Sequence, residues 1–330
     1  MSESADTSDP RVAVLVLNYD GRERLEAYLP SLVDLDYVNY RVYVVDNAST
    51  DDSVAFVRES FPSVSVVEHP ENYGISRGLN EGVRALPDGE DFDYLWLLNN
   101  DVKAAPDSLS RLVAHLKSRR EVGVAFPRIN DMGTETIQSL GQHYDVFAHS
   151  PPMDRGLETP SDPEPREVPF NIGAAILISR AAWEATGGYD SGNFVYGCDT
   201  YLCLQSWLRG YHVETVPTAV VYHEPGDKIV DSTMDAFHTA RSDTRVHLTT
   251  LSAGSLAKGF AGFCGLIAAA AAKDVLVRRR PELARARFAG LASAFKDLPT
   301  VLRNRRRVQR ERVYPDERFL SPVTGKRGLW

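Results

Sequence analysis

The sequence predicts an α/β protein: a Rossmann-like, mostly parallel sheet flanked by helices, followed by a helical C-terminal region. Three observations predict it. Short apolar runs rich in Val and Leu alternate with segments of helical periodicity, at the spacing of successive βαβ units. Polar clusters follow the strand candidates, namely Asn18-Tyr19-Asp20-Gly21, residues 46–51 and Asn99-Asn100-Asp101. In such sheets ligands bind beyond the carboxyl ends of the strands. From about residue 236 onward the chain turns to alanine and arginine at helical spacing.

Residues 11–17 (RVAVLVL), bounded by Pro10 and Asn18, read as a buried parallel strand. Residues 23–35 put Leu25, Leu29, Leu32 and Val33 on one helical face. A second strand follows at 41–45, a helix at 51–60, a third strand at 64–68, a helix at 76–85 and a fourth strand at 94–98. No element is assigned across 103–147. Residues 148–169, rich in Pro, Asp and Glu, are expected to form a mobile loop. Beyond it, 173–178 read as a strand and 180–186 as a helical turn closed by Gly187-Gly188. Residues 199–209 read as a short amphipathic helix ended by Gly210, and 213–216 and 219–222 as two short strands.

A chain of 330 residues holds one large α/β domain and an accessory region. Its 43% hydrophobic and 25% charged content excludes a disordered or collagenous chain. Three cysteines without a CxxC pair suit neither a disulfide framework nor a zinc site, which points to a reducing, cytoplasmic setting. Residues 1–10 are expected to be flexible, and they carry neither the basic nor the apolar region of a secretory signal.

The charge is split. Residues 241–330 carry 19 Lys and Arg against 7 Asp and Glu, while the other 240 residues carry 18 against 38. The acidic body excludes nucleic acid as its ligand. The apolar run at 259–272, 14 residues closed by Lys258, Lys273 and Asp274, falls short of the roughly 20 a span needs. It reads as a buried or interfacial helix. Arginines at 278–280, and at 303 and 305–307 around Asn304, flank an apolar stripe of Phe288, Leu291, Phe295, Leu298 and Leu302. That pattern suits the anionic cytoplasmic face of a membrane; the alternative is a helix packed on the main domain with its arginines in water.

Several strand-end residues can carry chemistry, each with a plainer alternative. Tyr19 can lie against a nucleotide base, or simply pack. Asp46 can accept from a base N–H or a ribose hydroxyl, or cap the next helix. Asp101, beside two carboxamides, can hold a hard divalent cation, or belong to an Asx turn. Asp199, at a helix start, can act as a general base, or answer the helix dipole. His223 can ligate a metal, or be a hydrogen-bonded loop residue. Cys198 has no neighbouring His in sequence to activate it as a nucleophile.

These pieces occur in a familiar order. Residues 11–223 resemble the family 2 glycosyltransferases of the GT-A fold, in particular their rhamnosyltransferase-like branch. The matching motifs are VLNYDG (16–21), VVDNASTDDS (44–53), NYGISRGLN (72–80), LLNNDV (97–102), GAAILISR (173–180), GGYD (187–190), FVYGCDTYLCLQSWLRGY (194–211) and VPTAVVYH (216–223).

The resemblance implies a nucleotide-binding half at 11–102, an acceptor half at 103–235, and a basic helical region at 236–330. Tyr19 and Asp46 are implied at base and ribose and Arg77 at base or diphosphate, with Leu17, Asn99 and Asn100 completing that set. Asp101 stands at the DxD-like position, so Asp101 and His223 are implied as ligands of Mn2+ or Mg2+. Asp199 is implied as the base that activates an acceptor hydroxyl for an inverting displacement. Cys198, Tyr201 and Trp207 fall on the acceptor side.

The implied partners are a nucleotide-sugar donor and a glycan or lipid-linked acceptor, in cell-envelope polysaccharide or protein N-glycan assembly. The chain departs from the family's Glu-Asp-x-Asp-Leu, reading Cys198-Asp199-Thr200-Tyr201-Leu202. Losing two neighbouring carboxylates is expected to lower the pKa of Asp199, and to alter the acceptor pocket or leave a non-catalytic binding partner. Nucleotidyl transfer is disfavoured, because no Gly-rich loop follows the first strand.

Overall fold

A computed structural model describes residues 9–87, 91–224 and 232–321. Most of the N-terminus expected to be flexible, and residues 322–330 of the basic region, lie outside the described residues. The elements run β1 (Val12–Asn18), α1 (Arg22–Val33), β2 (Tyr40–Asp46), α2 (Ser53–Ser60), β3 (Ser65–Glu68), α3 (Gly74–Arg84), β4 (Tyr94–Asn99), β5 (Val102–Ala104), α4 (Ser108–Ser118), β6 (Val122–Asp131) and β7 (Ile137–Ser139). They continue with β8 (Arg166–Glu167), β9 (Ala175–Ser179), α5 (Arg180–Thr186), α6 (Cys198–Leu208), β10 (His212–His223), α7 (Thr233–Thr250), α8 (Ala253–Leu276), α9 (Pro281–Lys296) and α10 (Leu298–Arg310).

The main sheet has the order β3-β2-β1-β4-β9-β6-β10-β5. The alternation along β1 builds both of its faces. Val12, Val14 and Val16 pack with Leu25, Leu29 and Leu32 of α1 and Leu109, Leu112 and Leu116 of α4. Ala13 and Leu15 face the opposite core, shared with α3, α5 and α6. The mostly parallel expectation holds for β1 to β4. Beyond them the sheet is mixed: β9 runs antiparallel to β4 and β6, and β10 runs parallel to β6 but antiparallel to β5.

Four expectations are corrected. The two short strands at 213–222 are one strand, β10, whose register shifts between Val216 and Val220. Pro217, with no N–H for the ladder, accounts for the break read in sequence. The helix at 199–209 is not amphipathic. Ten of the eleven residues of α6 are buried, because α5, α7, β6 and β10 all pack on it.

The loop at 148–169 is tied down: Arg166 pairs with Asp154 at 2.8 Å, Asp154 accepts from the Ser161 hydroxyl, and β8 joins β10. Finally, the 14-residue apolar run is part of the 24-residue α8, whose most apolar stretch has mean hydropathy 1.5 and is 33% buried.

The C-terminal helices share the core of the α/β body. Phe263 and Ile267 of α8, Val308 of α10 and Phe319 lie in the same buried cluster as Leu15, Leu97 and Ile176. Helix α7 begins with a capping box between Ser232 and Asp235. Its last carbonyls, without helical partners of their own, accept from α10 and the segment after it. Arg305 reaches Leu248 O and Leu251 O at 2.7 and 2.6 Å, and Arg312 reaches Thr250 O at 2.7 Å.

Candidate active site

The carboxyl ends of β1, β2 and β4 open onto a cleft of about 280 Å³, close to the lower end of the range of ligand clefts. Its floor is a carboxamide relay. Asn100 Nδ2 donates to Asn18 Oδ1 at 2.8 Å, and Asn18 Nδ2 donates to Asp46 Oδ1 at 3.0 Å. Ser49 gives its N–H to Asp46 Oδ2 and its hydroxyl to Asp46 Oδ1. Gly21 makes the relay possible: a Cβ there would stand 2.1 Å from Asn100 Nδ2 and 2.4 Å from Asn18 Oδ1.

Leu17, Tyr19, Asn99, Asn100 and Asp101 line the cleft, Tyr19 being 49% exposed. Asp46 does not. It is 2% exposed, and its carboxylate already accepts three bonds beneath the floor. Arg77 stands outside the lining, its guanidinium 3.6 Å from the Tyr73 ring centre and beside Glu71. Arg24 and Met234 also line the cleft, unmarked in sequence, as do Asn18, Asn47 and Asn72, which stand in the polar clusters and motifs without a role given to them. Asn18 had a signal, as the first polar residue after an apolar strand.

The ladder of β10 with β5 brings His223 opposite Val102, next to Asp101. His223 Nε2 lies 3.3 Å from Asp101 Oδ1. The alignment is not that of a hydrogen bond, and this buried carboxylate oxygen has no donor. On the other side of the ring, His223 Nδ1 meets Gln138 Oε1 at 2.7 Å. The Gln138 amide is itself oriented, because its Nε2 donates to Asp131 Oδ1 at 3.0 Å. Gln138 Oε1 can only accept here, so Nδ1 donates to it, and Nε2 is left directed at Asp101. A carboxylate oxygen and an imidazole nitrogen 3.3 Å apart, the ring held from its other side by Gln138, make a donor set that fits a divalent metal.

Glu167, His212 and Glu214 also bring ligand atoms within 4.8 Å of one another. They sit at the far end of β10, and His115, Arg119 and Arg318 already engage the carboxylates.

Asp199 occupies the first turn of α6, shortly after Phe194 and Val195, which line the cleft while Asp199 itself does not. Gly173 lets β9 approach closely, since a Cβ there would stand 3.2 Å from Asp199 Cβ. Burial raises the pKa of Asp199, against the backbone N–H groups of Thr200 and Gly173. The expected lowering is thus overridden, because desolvation is the largest influence on this carboxyl.

Three residues expected on the acceptor side lie in the interior. Cys198, Tyr201 and Trp207 are 5%, 2% and 1% exposed and belong to the core. Burial pushes the Cys198 thiol up to about 12, and Trp207 Nε1 donates to Val168 O at 3.1 Å. Only Asp199 of α6 is not fully buried, and these three side chains point into packing.

The sequence profile of glycosyl transferase family 2 matches residues 12–187, more than half of the chain. The chain belongs to glycosyl transferase family 2. Among its curated relatives is the N-acetylglucosaminyl-diphospho-decaprenol L-rhamnosyltransferase of Mycobacterium tuberculosis, 25% identical over 229 residues, covering 64% of this chain and 75% of the relative. GalNAc-T7, solved with UDP, GalNAc and Mn2+, superposes with TM-score 0.59 at 16% identity, over 89% of this chain and 57% of that one.

The mannosyltransferase PcManGT of Pyrobaculum calidifontis, solved with GDP-Man and Mn2+, gives 0.53 at 18% identity, over 88% of each chain. These likenesses identify the GT-A fold of this glycosyltransferase and its rhamnosyltransferase-like relatives.

Proposed function

We propose that this glycosyltransferase moves a sugar from a nucleoside-diphosphate sugar to a hydroxyl of a lipid-linked glycan in cell-envelope assembly. The reaction is a single displacement with inversion, at the cytoplasmic face of the membrane. The observation that carries the reading is the cleft itself. Asp101 lines it, with His223 Nε2 3.3 Å from Asp101 Oδ1, and Phe194 and Val195 line it just before the helix whose first turn holds Asp199.

Asn99, Asn100, Leu17 and Tyr19 take the nucleotide. Asp46 acts through Asn18 by fixing the relay, rather than by touching the ligand. Asp101 and His223 hold Mn2+ or Mg2+, which when bound offsets charge on the diphosphate leaving group. The acceptor oxygen attacks the anomeric carbon as the bond from that carbon to the phosphate oxygen breaks. The nucleoside diphosphate leaves with the electron pair, and Asp199 takes the acceptor's proton.

The lipid-linked acceptor is supported by the mycobacterial relative, a rhamnosyltransferase named for a diphospho-decaprenol acceptor. It is supported also by exposed apolar residues beside arginines, Leu276 and Val277 next to residues 278–280.

A thermal-shift screen of UDP, GDP and dTDP and their sugars, with and without Mn2+, tests the donor site. The expected result is a metal-dependent rise in Tm for one base, since a ligand that binds only the folded state stabilises it. No shift with any of them would overturn the reading. A shift without turnover on any acceptor would leave a non-catalytic binding partner.

A further inference from the structure

The donor cleft is poor in charge. Of the described residues that line it, Asp101 is the one acid and Arg24 the one base. A nucleoside diphosphate brings negative charge to such a cleft, and gains more as its bond to the sugar breaks. Arg77, the arginine that the resemblance implies for base or diphosphate, stands outside the lining, over the Tyr73 ring and beside Glu71. Arg24 is the cation at hand.

Arg24 lies in the first turn of α1, which follows directly on the strand-end cluster of β1. Its guanidinium rests on Glu224, the residue after His223. Nε and Nη2 both meet one carboxylate oxygen, Oε2, at 3.1 and 3.0 Å, and Tyr28 donates its hydroxyl to the other, Oε1, at 2.9 Å. Glu224 in turn gives its backbone N–H to Asp101 O at 3.2 Å. One residue therefore ties Arg24 to the Asp101 and His223 pair, and the guanidinium stands at the same end of the cleft.

The ion pair is open to exchange. The Arg24 side chain is 50% exposed and that of Glu224 32%, and ion pairs this exposed contribute little to stability. Two donors on a single oxygen also fall short of the best match for a guanidinium fork, which is two oxygens side by side. A diphosphate offers that arrangement. The nearby Arg22 is occupied, since it pairs with Glu26 and lies 3.4 Å from the centre of the Phe56 ring.

We propose that Arg24 is the diphosphate-binding residue of the donor site: its guanidinium turns from Glu224 to the diphosphate oxygens and offsets the charge they gain as the leaving group departs. The proposal rests on the transferase reading and deepens it, by placing a residue of this chain on the leaving group.

The test uses the full-length chain with Mn2+ and three diphosphates, UDP, GDP and dTDP, each beside its nucleoside. Titration calorimetry reads the diphosphates and saturation-transfer NMR the nucleosides. Arg24→Gln removes the charge, whereas Glu224→Gln loosens the ion pair and keeps the arginine. The expected result is one diphosphate bound by wild type and weakened about 10- to 100-fold in Arg24→Gln, as loss of charge-assisted hydrogen bonds implies, with its nucleoside bound unchanged. Arg24→Lys should recover part of the loss, being a point charge without the fork. Glu224→Gln should bind the diphosphate at least as well as wild type.

Undiminished diphosphate binding by Arg24→Gln overturns the proposal and leaves the transferase reading standing. So does an equal loss of nucleoside and diphosphate, or a Glu224→Gln variant as weak as Arg24→Gln, because either would mean that the ion pair only shapes the cleft. A wild-type chain that binds none of the diphosphates overturns the transferase reading, and the role of Arg24 falls with it.

Discussion

Asp199 is held between opposing influences. The N-terminus of α6 favours its charge, while burial opposes it and prevails, so its pKa is raised. A general base works only when deprotonated. The rate of transfer is therefore expected to fall as pH drops through a limb lying above the ordinary carboxylate range. Asp199→Asn is expected to lose roughly 10²- to 10⁴-fold in turnover and to keep the metal-dependent nucleotide shift. Undiminished turnover would remove Asp199 from the chemistry.

Gln138 makes a separate prediction. It fixes the His223 tautomer, so Gln138→Leu is expected to weaken Mn2+ binding about 10- to 100-fold, read by titration of free Mn2+ by EPR. Asp101 and His223 were legible in sequence because both stand at strand ends within recognisable motifs. Gln138 was not: it reaches His223 from β7, 85 positions away, and no local pattern marks it.

At the scale of elements, the most consequential contact is the ion pair of Asp190, in the GGYD turn, with Arg245 of α7. Arg245 is 1% exposed and donates to both carboxylate oxygens, Nη2 at 3.0 and 2.8 Å and Nε at 3.1 Å. Removing one partner strands a buried charge. Arg245→Met is expected to cost about 3–5 kcal/mol in denaturant unfolding, and the double variant Asp190→Leu/Arg245→Met distinctly less. Equal losses in single and double variants would show that packing, not charge, holds this joint.

The strands and helices before β5 were readable because their apolar patterns are clean. Helix α4 carries Leu109, Leu112, Val113 and Leu116 at helical spacing, a signal present but not assigned. Strand β6 is harder to see, since Pro127 lies within it. The burial of α6 was illegible for another reason: residues distant in the chain cover the face that its own sequence leaves undefined.

For the whole molecule, the charge split reads differently once the chain is folded. Part of the positive C-terminal region is spent inside, with Arg245, Arg287, Arg305 and Arg312 satisfying carboxylates and carbonyls. What faces water includes Arg279, Arg303, Arg306 and Arg310, together with Leu276, Val277, Phe288, Phe295 and Leu302. Basic and apolar side chains exposed together suit an anionic interface.

The full-length chain is accordingly expected to float with phosphatidylglycerol vesicles and much less with phosphatidylcholine vesicles. Each basic residue near such a surface contributes about 1 kcal/mol. Replacing the four exposed arginines by Gln is therefore expected to weaken binding on the order of 10²- to 10³-fold, and added salt should weaken the wild type likewise. Leu276→Glu with Val277→Glu should reduce flotation through the apolar part of the contact. Point variants are the proper instrument, because deleting residues 278–330 would strip Val308 and Phe319 from the shared core and unfold the body. If the four-Gln variant floats as well as wild type at low salt, the exposed arginines do not hold the chain to an anionic surface, and the proposed lipid-linked acceptor must be met by another face.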